Sequence, residues 1–65
     1  MKIFIEKDNI TKDMEFTGIV EELLVKLDIN PVEVIIINSK NKIITKEQVV
    51  ENSEELKIIS VVSGG

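Results

Sequence analysis

Apolar and polar positions alternate along the first residues of the chain. Ile3 and Ile5 fall on one side of an extended Met1–Glu6 segment and Phe4 on the other, the period-two pattern of a strand. Lys7-Asp8-Asn9 has hairpin-turn chemistry, and Lys12 to Phe16 can return as a second strand with Met14 and Phe16 on one face. The period then changes. Ile19, Leu23 and Leu27 recur at i, i+4 and i+8, and Val20 and Leu24 widen the stripe, while Glu21, Glu22 and Lys26 lie outside it. That spacing predicts an amphipathic helix. Thr17 is its expected N-cap, and Glu22 and Lys26 are spaced as a favourable i,i+4 pair. Asn30-Pro31 is expected to end the helix, because the residue before a proline disfavours the α region.

Val32 to Asn38 is rich in β-branched residues and predicts a strand; Ser39-Lys40-Asn41 carry turn chemistry, and Lys42 to Thr45 predict a short partner strand. A single helical turn is expected within Lys46–Asn52, and a last strand from Leu56 to Val62. The order β-β-α-β-β-β places one helix on one face of a mixed sheet. This is an α+β layer arrangement of the ubiquitin-like β-grasp kind. It implies one domain over residues 1–62 and a flexible tail over residues 63–65.

One helix covers only one face of a sheet. By alternation, Ile3, Ile5, Ile35, Ile37, Leu56 and Ile58 are expected to face the helix, leaving Phe4, Val34, Ile36, Ile59 and Val61 on the uncovered side. A sheet face left to water is normally polar. The apolar character of this one suggests a flat docking surface for a partner protein, against the plainer reading of scattered apolar exposure. The expected state is a monomer, with a homodimer through that face as the alternative.

Composition narrows the chemistry. The 65 residues include no Cys and no His, which removes disulfides, thiolate nucleophiles, the usual zinc sites and imidazole acid–base catalysis. The net charge is −4 and the only aromatic residues are Phe4 and Phe16. The eight Lys are interspersed with acidic residues, so direct nucleic-acid binding is not expected. The longest apolar run, Val34 to Ile37, falls far short of the ~20 residues of a membrane span, and the opening segment is too short and too charged for a signal peptide. A cytoplasmic location is expected. Glu21 with Glu22 and Glu54 with Glu55 are adjacent, but neighbours on a helix do not share a face. A solvated charged surface is the better reading than a catalytic pair, and no catalytic or metal-ligating residue is assigned.

After the last apolar segment the sequence reads Val61-Val62-Ser63-Gly64-Gly65. A terminal carboxylate that enters another enzyme's ATP site benefits from residues without Cβ, which fit a narrow channel and permit unusual backbone angles. Gly64-Gly65 is therefore the candidate activatable tail. With no Cys in the chain, any sulfur carried by this protein would have to sit on the C-terminal carboxyl. A scar or frayed end is the plainer reading of the diglycine.

Three segments carry a family resemblance: Leu27-Asp28-Ile29-Asn30-Pro31-Val32-Glu33-Val34, Ile43-Ile44-Thr45-Lys46-Glu47-Gln48, and Leu56 through Gly65. With them the chain resembles the ThiS/MoaD-type sulfur carriers and, more closely, the small archaeal ubiquitin-like modifier proteins, over essentially its whole length. It departs from their pattern at Asn38–Lys42, a longer loop where a tight Asn-Gly turn is common. The resemblance implies a non-enzymatic protein with no bound cofactor. Its Gly65 would be adenylated by an E1-like (ubiquitin-activating-like) adenylyltransferase that uses ATP. The resulting thiocarboxylate would go to a sulfur-acceptor enzyme for thiamine, molybdopterin or tRNA thiolation, or Gly65 would be joined by an isopeptide bond to target-protein lysines. It also implies that Phe4, Ile36 and Ile59 belong to the docking face. The alternative is a β-grasp interaction module with a passive tail, which would tolerate Gly65→Ala.

Overall fold

The computed structural model describes residues 1–61. The strands are β1 (Lys2–Ile5), β2 (Ile10–Asp13), β3 (Gly18–Ile19), β4 (Val34–Asn38), β5 (Ile43–Ile44), β6 (Val49–Val50) and β7 (Glu55–Ser60), with one α-helix, α1 (Val20–Lys26). Short 3₁₀ turns occupy Glu6–Asp8 and Pro31–Glu33. The main sheet has the order β2-β1-β7-β4-β5, and β3 with β6 make a separate two-stranded sheet. β1 and β7 run parallel; the other pairs are antiparallel. One helix on a mixed five-stranded sheet with parallel first and last strands is the ubiquitin-like β-grasp topology, as the sequence pattern implied.

The helix is shorter than its apolar stripe, with a tertiary cause at its start and a local one at its end. At its start Ile19 is extended and no side chain caps the first turn. Instead the Val20 and Glu21 amides donate to the carbonyls of Gln48 and Lys46, both at 2.9 Å, which satisfies donors that a helix N-terminus leaves without partners. Thr17, the expected cap, accepts from the Asn52 amide at 3.2 Å. At the other end Asp28 adopts a left-handed conformation, φ 59°. Its amide donates to Val25 O at 3.1 Å and that of Ile29 to Leu24 O at 2.9 Å, the paired bonds of a Schellman ending. The helix thus stops before Asn30-Pro31, and Pro31 opens a 3₁₀ turn whose Val32 amide is held by Asn30 Oδ1 at 3.1 Å.

Two other segments differ from expectation. β2 covers Ile10–Asp13, earlier than the expected Lys12–Phe16, and Phe16 leaves the strand to plug the core at 7% exposure. Asn52 holds it there: its Oδ1 accepts from the Phe16 amide at 2.8 Å and from the Met1 amino group at 3.1 Å. Within Lys46–Asn52 the expected helical turn is absent, and Val49–Val50 pair with Gly18–Ile19. Gly18 sits at φ 151°, where an added Cβ would lie 3.3 Å from the Phe16 ring, so this position favours glycine.

The core lies between the main sheet and α1. Ile3, Val20, Leu23, Leu24, Val50 and Ile58 are its most completely buried side chains, each worth about 1.5–3 kcal/mol of apolar burial. Among the described residues no polar or charged residue is buried, and no helix is long and apolar enough to cross a membrane.

Candidate protein-docking face and tail exit

Strand register decides which side chains share a face, because opposed residues point the same way. Ile5, Ile58, Ile36 and Ile44 are opposed in turn across β1, β7, β4 and β5, and all four are buried under the helix. One residue along, Phe4, Lys57, Ile37 and Ile43 form the matching row on the outer face. Ile35 opposes Ile59 on that same outer face.

This register corrects the sequence assignment of β4. Ile36 is 4% exposed and belongs to the core, and Val34 packs against that core, so neither lies on the uncovered side. Ile35 and Ile37, expected under the helix, take the outer positions. The physical reason is that Val34–Ile37 is uniformly apolar and has no phase of its own. Its phase comes from pairing with β7, whose Leu56-Lys57-Ile58 alternation is unambiguous. Phe4 and Ile59 do lie on the outer face, each partly buried. Val61 follows β7 and is 48% exposed. The outer patch is thus Phe4, Ile35, Ile37, Ile43 and Ile59, with Val61 at its end.

Lys57 crosses this patch. Its Nζ stands 5.8 Å from the Phe4 ring centroid and 3.6 Å from Glu6 Oε2. Both side chains of the ion pair are about half exposed. The ion pair and the cation–π contact are each worth on the order of 0.5–1 kcal/mol at such a site. The lysine stem covers part of the apolar surface while its ammonium stays in water. Beside it a shallow concavity of ≈ 340 Å³ is lined by Phe4, Ile37, Asn38, Ser39 and Lys57, among others.

A larger cavity of ≈ 530 Å³ opens at the end of the domain where β7 finishes. Its walls include Ile10, Ile29, Val34 and Ser60, with Lys7, Lys12, Asp8, Asp28 and Glu33 among its charged residues. The backbone stays tied just past this point, since the Val61 amide donates to Glu33 O at 2.9 Å. Gly64 and Gly65, the residues singled out for activation, lie outside the described residues, as do Val62 and Ser63.

The carboxylates weighed as catalytic pairs have other occupations. Glu21 Oε2 lies 3.9 Å from Lys46 Nζ, whereas the pair expected from spacing, Glu22 with Lys26, is not among the ion pairs of the described residues. Glu54 Oε2 accepts from the Glu51 amide at 2.8 Å and closes a turn. Among the described residues no three carboxylates converge in a way that could hold a metal ion. In sequence, the chain matches no protein-family model and no curated protein. Its β-grasp architecture rests on strand order and register.

Proposed function

We propose that this protein is a ubiquitin-like sulfur carrier or protein modifier whose Gly65 bears the reactive carboxyl. The observation that carries this reading is the position of β7. The last strand is paired on both sides, with β1 and with β4, and the sequence continues after it through Val61 to Val62-Ser63-Gly64-Gly65. A fold alone does not specify a function. The apolar outer face adds a surface on which a partner enzyme can hold the domain, and the composition leaves no thiol or imidazole to do covalent work in its place.

In this reading the protein is substrate and carrier, and a ubiquitin-activating-like adenylyltransferase supplies catalysis and binds the ATP. A Gly65 carboxylate oxygen attacks the α-phosphorus and pyrophosphate leaves, giving an acyl-adenylate. Hydrosulfide then attacks the acyl carbon and expels AMP, leaving a thiocarboxylate for a sulfur-acceptor enzyme. Alternatively the amine of a target lysine takes the acyl group as an isopeptide, losing a proton as AMP departs. The cytoplasm is the compartment that suits this ATP-dependent chemistry.

Two measurements test the proposal. Intact mass spectrometry of protein isolated from cells should show a fraction heavier by the oxygen-to-sulfur difference, or tryptic digests of cellular proteins should show the Ile58–Gly65 remnant, released after Lys57, on target lysines. The purified chain should also support ATP–pyrophosphate exchange by an adenylating enzyme, and Gly65→Ala should abolish it with the fold intact. Absence of all three signals would return the protein to the class of β-grasp interaction modules with a passive tail.

A further inference from the structure

β2 lies at an edge of the main sheet and pairs with β1 alone. The Met1 amino group donates to Met14 O at 2.8 Å and the Met14 amide to Met1 O at 3.0 Å, so these two residues are a doubly bonded pair of the antiparallel ladder. Bonded and unbonded pairs alternate along such a ladder. Ile3 with Lys12 and Ile5 with Ile10 are therefore bonded pairs, whereas Lys2 with Asp13 and Phe4 with Thr11 are not. The backbone N–H and C=O groups of Thr11 and Asp13 point away from β1, along the open edge. An edge of this kind is a template for one more strand.

The side chains beside that edge select the kind of strand. Ile10 and Lys12 oppose Ile5 and Ile3, so they point to the helix side, yet Ile10 is 41% exposed. The helix buries the inner residues of β1 and leaves the inner side of β2 bare, where Ile10, Lys12, Leu27 and Ile29 line the cavity of ≈ 530 Å³. A strand added outside β2 would place every second side chain on that side. Opposite Ile10 an apolar residue fits, and opposite Lys12 a carboxylate, since Lys12 is in none of the ion pairs of the described residues. The acidic residues of the cavity, Asp8, Asp28 and Glu33, lie off the strand, in the turns before β2, after α1 and before β4. A second copy of this chain fits the edge poorly. The two-fold antiparallel register that engages both Thr11 and Asp13 sets Lys12 opposite Lys12, and like charges directly opposed are destabilising.

We propose that the open edge of β2 binds an extended peptide segment of a partner protein, one with an apolar residue two positions from an acidic residue. Thr11 and Asp13 bond the backbone of that segment. Ile10 and the cavity receive its apolar side chain, and Lys12 pairs with its carboxylate. The groove opens on the other side of the sheet from Phe4, Ile35, Ile37 and Ile59, so it is a second surface rather than an extension of the outer patch. The proposal does not depend on the carrier reading.

The test is an NMR titration of the full chain with a capped synthetic heptapeptide, Ser-Val-Thr-Asp-Thr-Val-Ser. Its sequence reads the same in both directions and so serves a parallel or an antiparallel strand. Millimolar peptide should give saturable shifts, largest at the Thr11 and Asp13 amides, with new hydrogen-exchange protection at both. Thr11→Pro removes an outward N–H and no bond to β1, and should weaken binding about tenfold while the β1 resonances keep their positions. Lys12→Glu leaves the backbone unchanged and should weaken binding about fivefold. A peptide with lysine in place of the aspartate should then prefer that variant to wild type. No saturable shift at Thr11 and Asp13, or equal affinity of wild type and Lys12→Glu, would overturn the proposal. A dimer of the free chain in sedimentation that Thr11→Pro abolishes would assign the edge to a second copy and overturn it as well.

Discussion

Across the middle of the main sheet, Ile5, Ile58, Ile36 and Ile44 make one row and Phe4, Lys57, Ile37 and Ile43 make the next. The rows are one residue apart along each strand and point to opposite faces. The first is buried by α1. The second stays partly in water, with Ile43 67% exposed and a single lysine laid across its aromatic member. Residue type separates the two only in part, since the inner row is all isoleucine and half of the outer row is isoleucine too. What separates them is the helix. An inner isoleucine owes its burial to the fold itself, while an outer one lacks a covering element and is available to a partner.

The sharpest way to break this comparison is to truncate one member of each β4 pair. Ile36→Ala should cost about 2–5 kcal/mol, the range for a large-to-small change in a packed core. For a 65-residue domain, whose whole stability is on the order of 3–10 kcal/mol, much of the population would unfold. Ile37→Ala should cost distinctly less. Equal losses in denaturant titrations would mean that the two faces are not different. On the outer side, Ile59→Ala should weaken binding of the activating enzyme by about 1 kcal/mol or more while the melting temperature barely moves. Unchanged affinity for both the Phe4 and the Ile59 truncations would remove the docking role from this face.

Two smaller effects sharpen the contrast. Asp28 holds a left-handed φ at the end of the helix that covers the inner row, and its negative charge opposes the helix dipole there. Asp28→Gly should stabilise the domain by about 0.5–1 kcal/mol, read as a rise of a few degrees in Tm, with no change in partner binding. Lys57→Met keeps the stem over Phe4 and removes the ammonium. Stability should shift by no more than about 0.5–1 kcal/mol, and any shift should disappear at high salt.

The outer strands of the sequence were the easiest to read. Lys2-Ile3-Phe4-Ile5-Glu6 and Leu56-Lys57-Ile58 alternate, so both existence and facing were legible, and with the 3.6-residue stripe of Ile19, Leu23 and Leu27 they were enough for the β-grasp order. β4 was legible as a strand but not in phase, because four consecutive apolar residues place no constraint on which side faces in. Val34 and Ile36 were assigned to the wrong face for that reason. The ends of the helix were misjudged for two reasons: the start is capped from elsewhere in the chain, by backbone carbonyls at Lys46 and Gln48, and the end is a left-handed Asp28 where glycine is the usual signal. The β3–β6 ladder joins two residues to two others some thirty positions away, and no local pattern announces such a pair. Of the candidate site, Phe4, Ile59 and Val61 were found from alternation. Ile35 and Ile37 needed the register to be seen.

The way α1 begins has a consequence for how the domain opens. The first amides of a helix have no partner within it and are commonly met by water or a capping side chain, so they exchange their hydrogens readily. Here the amides of Val20 and Glu21 are sealed by carbonyls of the Lys46–Gln48 segment. Neither can exchange until that segment lifts away. Their hydrogen exchange should therefore be slow, and should rise together with that of the β3–β6 ladder, so that the helix start and this distant loop open as one cooperative unit.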